Sequence, residues 1–81
     1  MEQNARNPML VAFGTTVRRL RKELGYSQEA FGSLCGIDRS YMGGIERGEH
    51  NLALVNIMKI VQALDMQPSE FFRNFDADHI K

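Results

Sequence analysis

The sequence predicts an all-α domain built from five helices. No stretch alternates polar and apolar residues with the period of two that a half-buried strand requires, whereas apolar residues recur at helical spacing. Glycine or proline stands between these stretches, where helices commonly end or begin. The chain has 81 residues, 43% of them hydrophobic, which fits one compact domain with no room for a second core.

The first helix is predicted over residues 9–24. Steps of four, three and four positions place its apolar residues on one helical face: Phe13, Val17, Leu20 and Leu24. Gly25 follows, at the position where a left-handed residue commonly ends a helix. This is the longest helix that the pattern predicts before the middle of the chain.

Two short helices are predicted next, joined by a turn at Gly36. Ser27 can cap the first of them and Asp38 can cap the second, which runs to about Arg47. Helices this short around a glycine must cross steeply, because glycine permits the positive φ that a tight turn needs. We place Gly32 where the crossing brings the two backbones close together.

The faces of these two helices follow from the same spacing. The residues predicted to face the core are Phe31, Leu34, Cys35, Met42 and Ile45. The residues predicted to face outward from the third helix are Arg39, Ser40, Gly43, Gly44 and Arg47. An exposed helix N-terminus that carries arginine and serine suits the major groove of DNA.

The last two helices carry more apolar surface than the core of one chain needs. Five residues of the fourth helix share one arc: Leu54, Ile57, Met58, Val61 and Leu64. The fifth helix opens at Pro68, and apolar residues of both helices are left over. Because exposing them would invite aggregation, we assign five to the interface of a twofold homodimer: Val55, Ile60, Phe71, Phe72 and Phe75.

Ten basic residues balance ten acidic ones, so the net charge is zero with neutral histidines. Taken alone, this balance argues against tight binding to nucleic acid. Five of the basic residues fall between positions 18 and 39, however, and screening limits the reach of each charge to about 10 Å. A local basic surface can therefore still meet phosphates.

The sequence lacks the residues that several classes of function usually require. The single cysteine, Cys35, excludes an intrachain disulfide and a multi-cysteine zinc cluster, and we interpret it as a core residue. The sequence offers no catalytic nucleophile paired with a general base, and it has no phosphate-binding glycine loop. It has no apolar run suited to a membrane span, and it starts with polar residues. We expect a cytoplasmic protein that is not an enzyme and needs no metal, cofactor, small-molecule ligand or membrane.

A family resemblance rests on three pieces of the sequence between Phe13 and Phe72. These are VRRLRKELGYSQEAFGSLCGIDRSYMGGIERG, then the asparagine at Asn51, then IMKIVQALDMQPSEFF. Together they resemble the lambda-repressor and Cro-type (XRE-like) helix-turn-helix regulators, and among them the small controller proteins of restriction-modification systems. The resemblance implies a compact five-helix lambda-repressor-like DNA-binding domain.

The resemblance also implies how the chain is divided. The domain would span residues 9–75, with the helix-turn-helix motif at residues 28–47. A flexible arm at residues 1–8 and a flexible tail at residues 76–81 would flank it.

The resemblance assigns roles to the residues of the motif. Arg39 and Ser40, at the start of the third helix, would read bases, and arginine can hold the O6 and N7 edge of guanine with two hydrogen bonds. Gln28 would contact a phosphate and brace Arg39. The other residues expected at the DNA are Ser27, Tyr41, Arg47 and Asn51. Contacts to phosphates position a protein without reading sequence.

Family members also often pair an arginine of the first helix with the glutamate of the IERG segment, here Arg21 and Glu46, and this role would be structural. At two places the sequence departs from the family pattern. Gly43 and Gly44 occupy positions where the family usually has polar side chains that reach DNA, so they either drop base contacts or let the backbone approach DNA closely. His50 stands where a basic residue is common.

The resemblance implies a transcriptional regulator that binds a near-palindromic operator as a homodimer, such as the controller of a restriction-modification operon. The alternative is an antitoxin or adaptor-type module whose main partner is another protein, with DNA binding secondary or lost. Replacement of Arg39 separates the two interpretations, because only a regulator would lose its base preference.

Overall fold

Five α-helices make up the structure, a computed structural model that describes the backbone of residues 7–79 and the side chains of residues 7–75. The helices are α1 (Pro8–Glu23), α2 (Gln28–Cys35), α3 (Arg39–Glu46), α4 (Leu54–Ala63) and α5 (Pro68–His79). No β-strand occurs within the described range. The predicted all-α fold of five helices is confirmed.

Side-chain caps fix the starts of the first three helices. The Asn7 carboxamide accepts a hydrogen bond from the backbone N–H of Met9, and Ser27 Oγ accepts one from the N–H of Ala30 at 3.0 Å. The Asp38 carboxylate accepts from the N–H groups of Ser40 and Tyr41. Each cap satisfies helix N–H groups that have no partner inside the helix.

The ends of the domain differ from the sequence prediction. Helix α1 begins at Pro8 with Asn7 as its cap, so the last residue of the predicted arm belongs to the helix and the one before it caps the helix. Helix α5 continues to His79, where the sequence predicts a flexible tail from residue 76. Residues 1–6 and 80–81 lie outside the described residues.

The core draws apolar side chains from all five helices. Its buried members are Phe13, Val17, Leu20, Phe31, Cys35, Ile37, Met42, Ile45, Ile60, Val61, Leu64 and Phe71. Two inward predictions are wrong: Leu24 is 51% exposed because it lies at the end of α1, and Leu34 is 54% exposed on α2. Burial raises the pKa of the Cys35 thiol to about 11, which keeps it protonated at neutral pH, as suits a core residue.

Two residues assigned to the dimer interface are also core residues. Ile60 and Phe71 are both fully buried within the single chain. Helix α4 packs against both α2 and α5, and Phe71 meets Phe13 of α1 edge to face with 5.4 Å between ring centroids. Because neighbouring helices already cover these side chains, Ile60 and Phe71 are unavailable to a second copy.

Gly14 is the point of closest approach between α1 and α3. A Cβ atom at this position would overlap the backbone carbonyl oxygens of Ile45 and Glu46. The overlap involves backbone atoms of the last turn of α3, which cannot move without displacing that helix. Gly14 therefore sets the distance at which α3 lies on α1, a role that the sequence pattern did not reveal.

We expect Gly14→Ala to lower the free energy of unfolding by about 1–3 kcal/mol or more, because the added methyl group forces the two helices apart. Urea unfolding at one fixed protein concentration measures it. Gly43→Ala is the matched control, since its Cβ would meet the end of the Arg47 side chain at 3.1 Å rather than backbone. The control should change stability by no more than about 1 kcal/mol. Equal losses in both variants would contradict this role for Gly14.

Candidate nucleic-acid interface

The turn between α2 and α3 joins two short helices that pack against each other. Gly36 has a φ of +73°, in the left-handed region that glycine adopts readily. The N–H of Ile37 donates to the carbonyl of Gly32 at 2.8 Å, and a Cβ on Gly32 would lie 2.6 Å from the carbonyl oxygen of Ile37. Gly32 is thus a site of close backbone approach, as predicted, and its contact is with the turn.

The outer face of α3 borders an open polar groove. Met42 and Ile45 face the core, as predicted, and Arg39, Ser40 and Arg47 are exposed. The groove has a volume of about 280 Å³, and its lining residues are Gln28, Arg39, Ser40, Gly43 and Arg47. Residues predicted from the start of α2 and from α3 to contact DNA therefore share one surface.

The two glycines of α3 are buried beneath neighbouring side chains, although Gly43 also borders the groove. The space over Gly43 is taken by the Arg47 guanidinium and the Gln28 side chain. The space over Gly44 is taken by the imidazole ring of His50. The His50 ring therefore shields the backbone of Gly44, whereas Gly43 forms part of the groove wall.

Arg47 is held by a residue that the sequence analysis did not single out. Its guanidinium donates from Nε to one carboxylate oxygen of Glu49 at 2.8 Å and from Nη2 to the other at 3.2 Å. These hydrogen bonds raise the pKa of Arg47 above its usual value. Because Glu49 occupies the Nε donor and one Nη2 donor, a phosphate must compete with a carboxylate for this edge of the Arg47 guanidinium. No simple spacing rule in a loop predicts this pair.

The remaining predicted contact residues do not line this groove. Tyr41 is half-buried and packs against the core. Ser27 is exposed, and its hydroxyl caps α2. Asn51 is exposed in the loop between α3 and α4, where it also borders an apolar groove near α5.

A buried ion pair supports α3 from behind. Arg21 donates to Glu46 through Nε at 2.6 Å and through Nη2 at 2.9 Å, and its Nη1 donates to the carbonyl of Tyr26 at 2.7 Å. Both side chains of the ion pair are almost entirely buried. The hydrogen bonds to Glu46 raise the pKa of Arg21, so the guanidinium stays charged. The pair that the family resemblance implied is present.

Gln28 joins this ion pair to the groove. Its Nε2 donates to Glu46 Oε1 at 3.0 Å, so the same carboxylate ties α1, α2 and α3 together. The predicted bracing of Arg39 by Gln28 stays a prediction, although both side chains line the groove.

Comparison with known proteins agrees with this geometry. The helix-turn-helix family pattern matches residues 17–71. The control protein C.MunI from Mycoplasma sp is 37% identical over 73 residues, which cover 89% of this chain and 99% of that protein. The crystal structure of the restriction-modification controller protein C.AhdI from Aeromonas hydrophila has a TM-score of 0.74 and 54% identity, covering 78% of this chain and 96% of that chain.

A third relative was crystallised with DNA. The restriction-modification controller protein C.Esp1396I, as a tetramer in complex with its natural 35 base-pair operator, has a TM-score of 0.84 and 27% identity. The match covers 90% of this chain and 96% of that chain.

Two short helices that pack together across a glycine turn, with an exposed polar face on the second, define a helix-turn-helix DNA-binding protein. The chain belongs to the helix-turn-helix family of transcriptional regulators and, within it, to the restriction-modification control proteins. This family is regulatory rather than enzymatic. None of the described helices has the length and apolar character needed to cross a membrane.

We expect Glu46→Gln to destabilise the protein by about 3–5 kcal/mol, because it leaves the buried Arg21 guanidinium without its counter-charge. The control is Glu23→Gln, since Glu23 forms an exposed ion pair with Arg19 on α1. Its effect should stay below about 1 kcal/mol. Urea unfolding of both variants measures the difference. A Glu46→Gln loss as small as that of the control would show that the buried pair does not hold α3.

Proposed function

We propose that this chain binds a near-palindromic DNA operator as a homodimer and regulates transcription of a restriction-modification operon. The observation that carries the proposal is the exposed start of α3, where Arg39 and Ser40 border an open polar groove over a buried ion pair. A helix supported in this way can enter the major groove as a rigid unit. The relatives named above come from bacteria, so we place this activity in the cytoplasm, where bacterial DNA lies.

Arg39 is the main base reader in this proposal. Its exposed guanidinium can hold guanine through two hydrogen bonds, and Ser40 beside it can bond to a neighbouring base. The backbone N–H of Ser40 already donates to the Asp38 carboxylate at 2.9 Å, so the N-terminus of α3 offers few free amides to a phosphate. Side chains must therefore make the phosphate contacts, and we assign these to Gln28, Tyr41, Arg47 and Asn51.

The dimer interface is proposed at the exposed apolar residues of α4 and α5. Val55 is 65% exposed and Phe72 is 40% exposed. Phe72 and the half-buried Phe75 also line an apolar groove of about 200 Å³ between α5, the start of α1 and the loop before α4. A second copy related by a twofold axis would cover these side chains and present two α3 helices about 34 Å apart, one turn of DNA.

The first test is selection of bound duplexes from a random DNA pool, followed by affinity measurements on the recovered sequence. We expect a symmetric motif, and we expect Arg39→Ala to lose about 1–3 kcal/mol of binding free energy and to relax the preference at its base. Arg18→Ala is the control, because Arg18 is exposed on α1 outside the groove. Retention of DNA that only fades with salt, without a motif, would favour the adaptor-type module instead.

The dimer is tested by sedimentation. We expect Phe72→Glu to sediment as a monomer at concentrations where the unchanged protein is a dimer, because a carboxylate would be buried without a partner in the interface. Leu34→Glu is the control, since Leu34 is a comparably exposed apolar residue on α2. Dimers in both variants would place the interface elsewhere.

A further inference from the structure

The turn after α3 folds back over the helix and places His50 on Gly44. The N–H of Glu49 donates to the carbonyl of Gly44 at 2.9 Å, which reverses the chain direction. The edge of the His50 imidazole then occupies the space where a side chain on residue 44 would be. A Cβ on Gly44 would overlap Nε2 of the ring and would lie 2.7 Å from its Cδ2. Glycine at position 44 is therefore what allows the ring to lie against α3.

The same imidazole stacks on Tyr41. The two ring centroids are 4.2 Å apart, and the ring planes differ by 18°. Tyr41 also packs against the hydrophobic core. The tyrosine ring is therefore held by the core and by His50, which restricts the directions in which its hydroxyl can point.

We propose that His50 is a positioning residue for DNA binding, which fixes the Tyr41 ring through a stack that only glycine at position 44 permits. The inference rests on the proposed function, because Tyr41 must contact the operator for its orientation to matter. Tyr41 follows the two proposed base readers, Arg39 and Ser40, in the first turn of α3. A hydroxyl at this place that is already oriented loses less freedom on binding a phosphate than a mobile one.

In this arrangement Gly44 has the role of leaving space for the His50 ring. A glycine inside a helix lowers helix stability relative to alanine. The His50 ring, which the glycine admits, supplies an aromatic contact in return. A gain in helix propensity from Gly44→Ala should thus come with a loss of operator affinity.

The test is a double-mutant cycle on the operator recovered by duplex selection. Four proteins are compared: the unchanged chain, Gly44→Ala, His50→Ala, and the variant with both changes. We expect each single change to weaken operator binding by about threefold to tenfold, the range expected for loss of an aromatic pair. The double variant should bind no more weakly than His50→Ala, because Gly44→Ala has no ring to displace once His50 is absent.

Three further measurements distinguish positioning from a general structural effect. The His50 ring protons should show a ring-current shift in the NMR spectrum of the unchanged protein that Gly44→Ala removes. The melting temperature of Gly44→Ala should be unchanged or higher, since alanine favours the helix. Tyr41→Phe retains the ring but lacks the hydroxyl, so its affinity should fall while the shift of His50 remains.

The outcomes separate this inference from the proposed function. Unchanged affinity in Gly44→Ala, or losses that multiply in the double variant, would overturn the positioning role while Arg39→Ala still abolished base preference. A lower melting temperature that accounts for the loss of binding would overturn it as well. Failure of the unchanged protein to enrich any operator would overturn the proposed function itself.

Discussion

The ion pair between Arg21 and Glu46 is the interaction on which the DNA-facing surface depends. Helix α3 has only eight residues, too few to be stable by itself in water, so its position comes from what lies behind it. One carboxylate there binds Arg21 of α1 and Gln28 of α2. A buried ion pair adds little net stability, but breaking it is costly, and its two-point geometry allows few alternative positions of the helix.

The close approach at Gly14 works together with this pair. Gly14 of α1 sets how near α3 can lie to α1. Glu46, the last residue of α3, fixes the rotation of α3 through a two-point hydrogen bond with Arg21. The pair was implied by a family resemblance, whereas the glycine gave no signal. A single glycine inside an amphipathic helix does not indicate which backbone will lie against it, because that depends on how three helices meet.

The sequence predicted local structure better than it predicted which surfaces are covered. Caps and glycine turns are signals between near neighbours, and they located α2 and α3 within a residue or two. Periodicity shows only which residues share a helical face. It therefore assigned Leu34 to the core, although this side chain is 54% exposed. It also left Ile60 and Phe71 for a partner chain, although neighbouring helices of the same chain already bury them. The covering of Gly44 by His50 was equally inaccessible, because it depends on the reversal of the chain after α3.

The charges around the groove explain why pairing of two chains matters for the proposed regulator. Arg47 is held by Glu49, and the Asp38 carboxylate binds the first amides of α3, so each removes part of the attraction to phosphate that a single copy would have. With zero net charge, the rest of the chain adds no long-range attraction to compensate. A weak half-site contact becomes tight when a second, linked half-site binds at a high effective concentration. Occupancy of the operator by the proposed dimer then depends steeply on protein concentration, since two chains must pair before both half-sites can be bound by linked α3 helices.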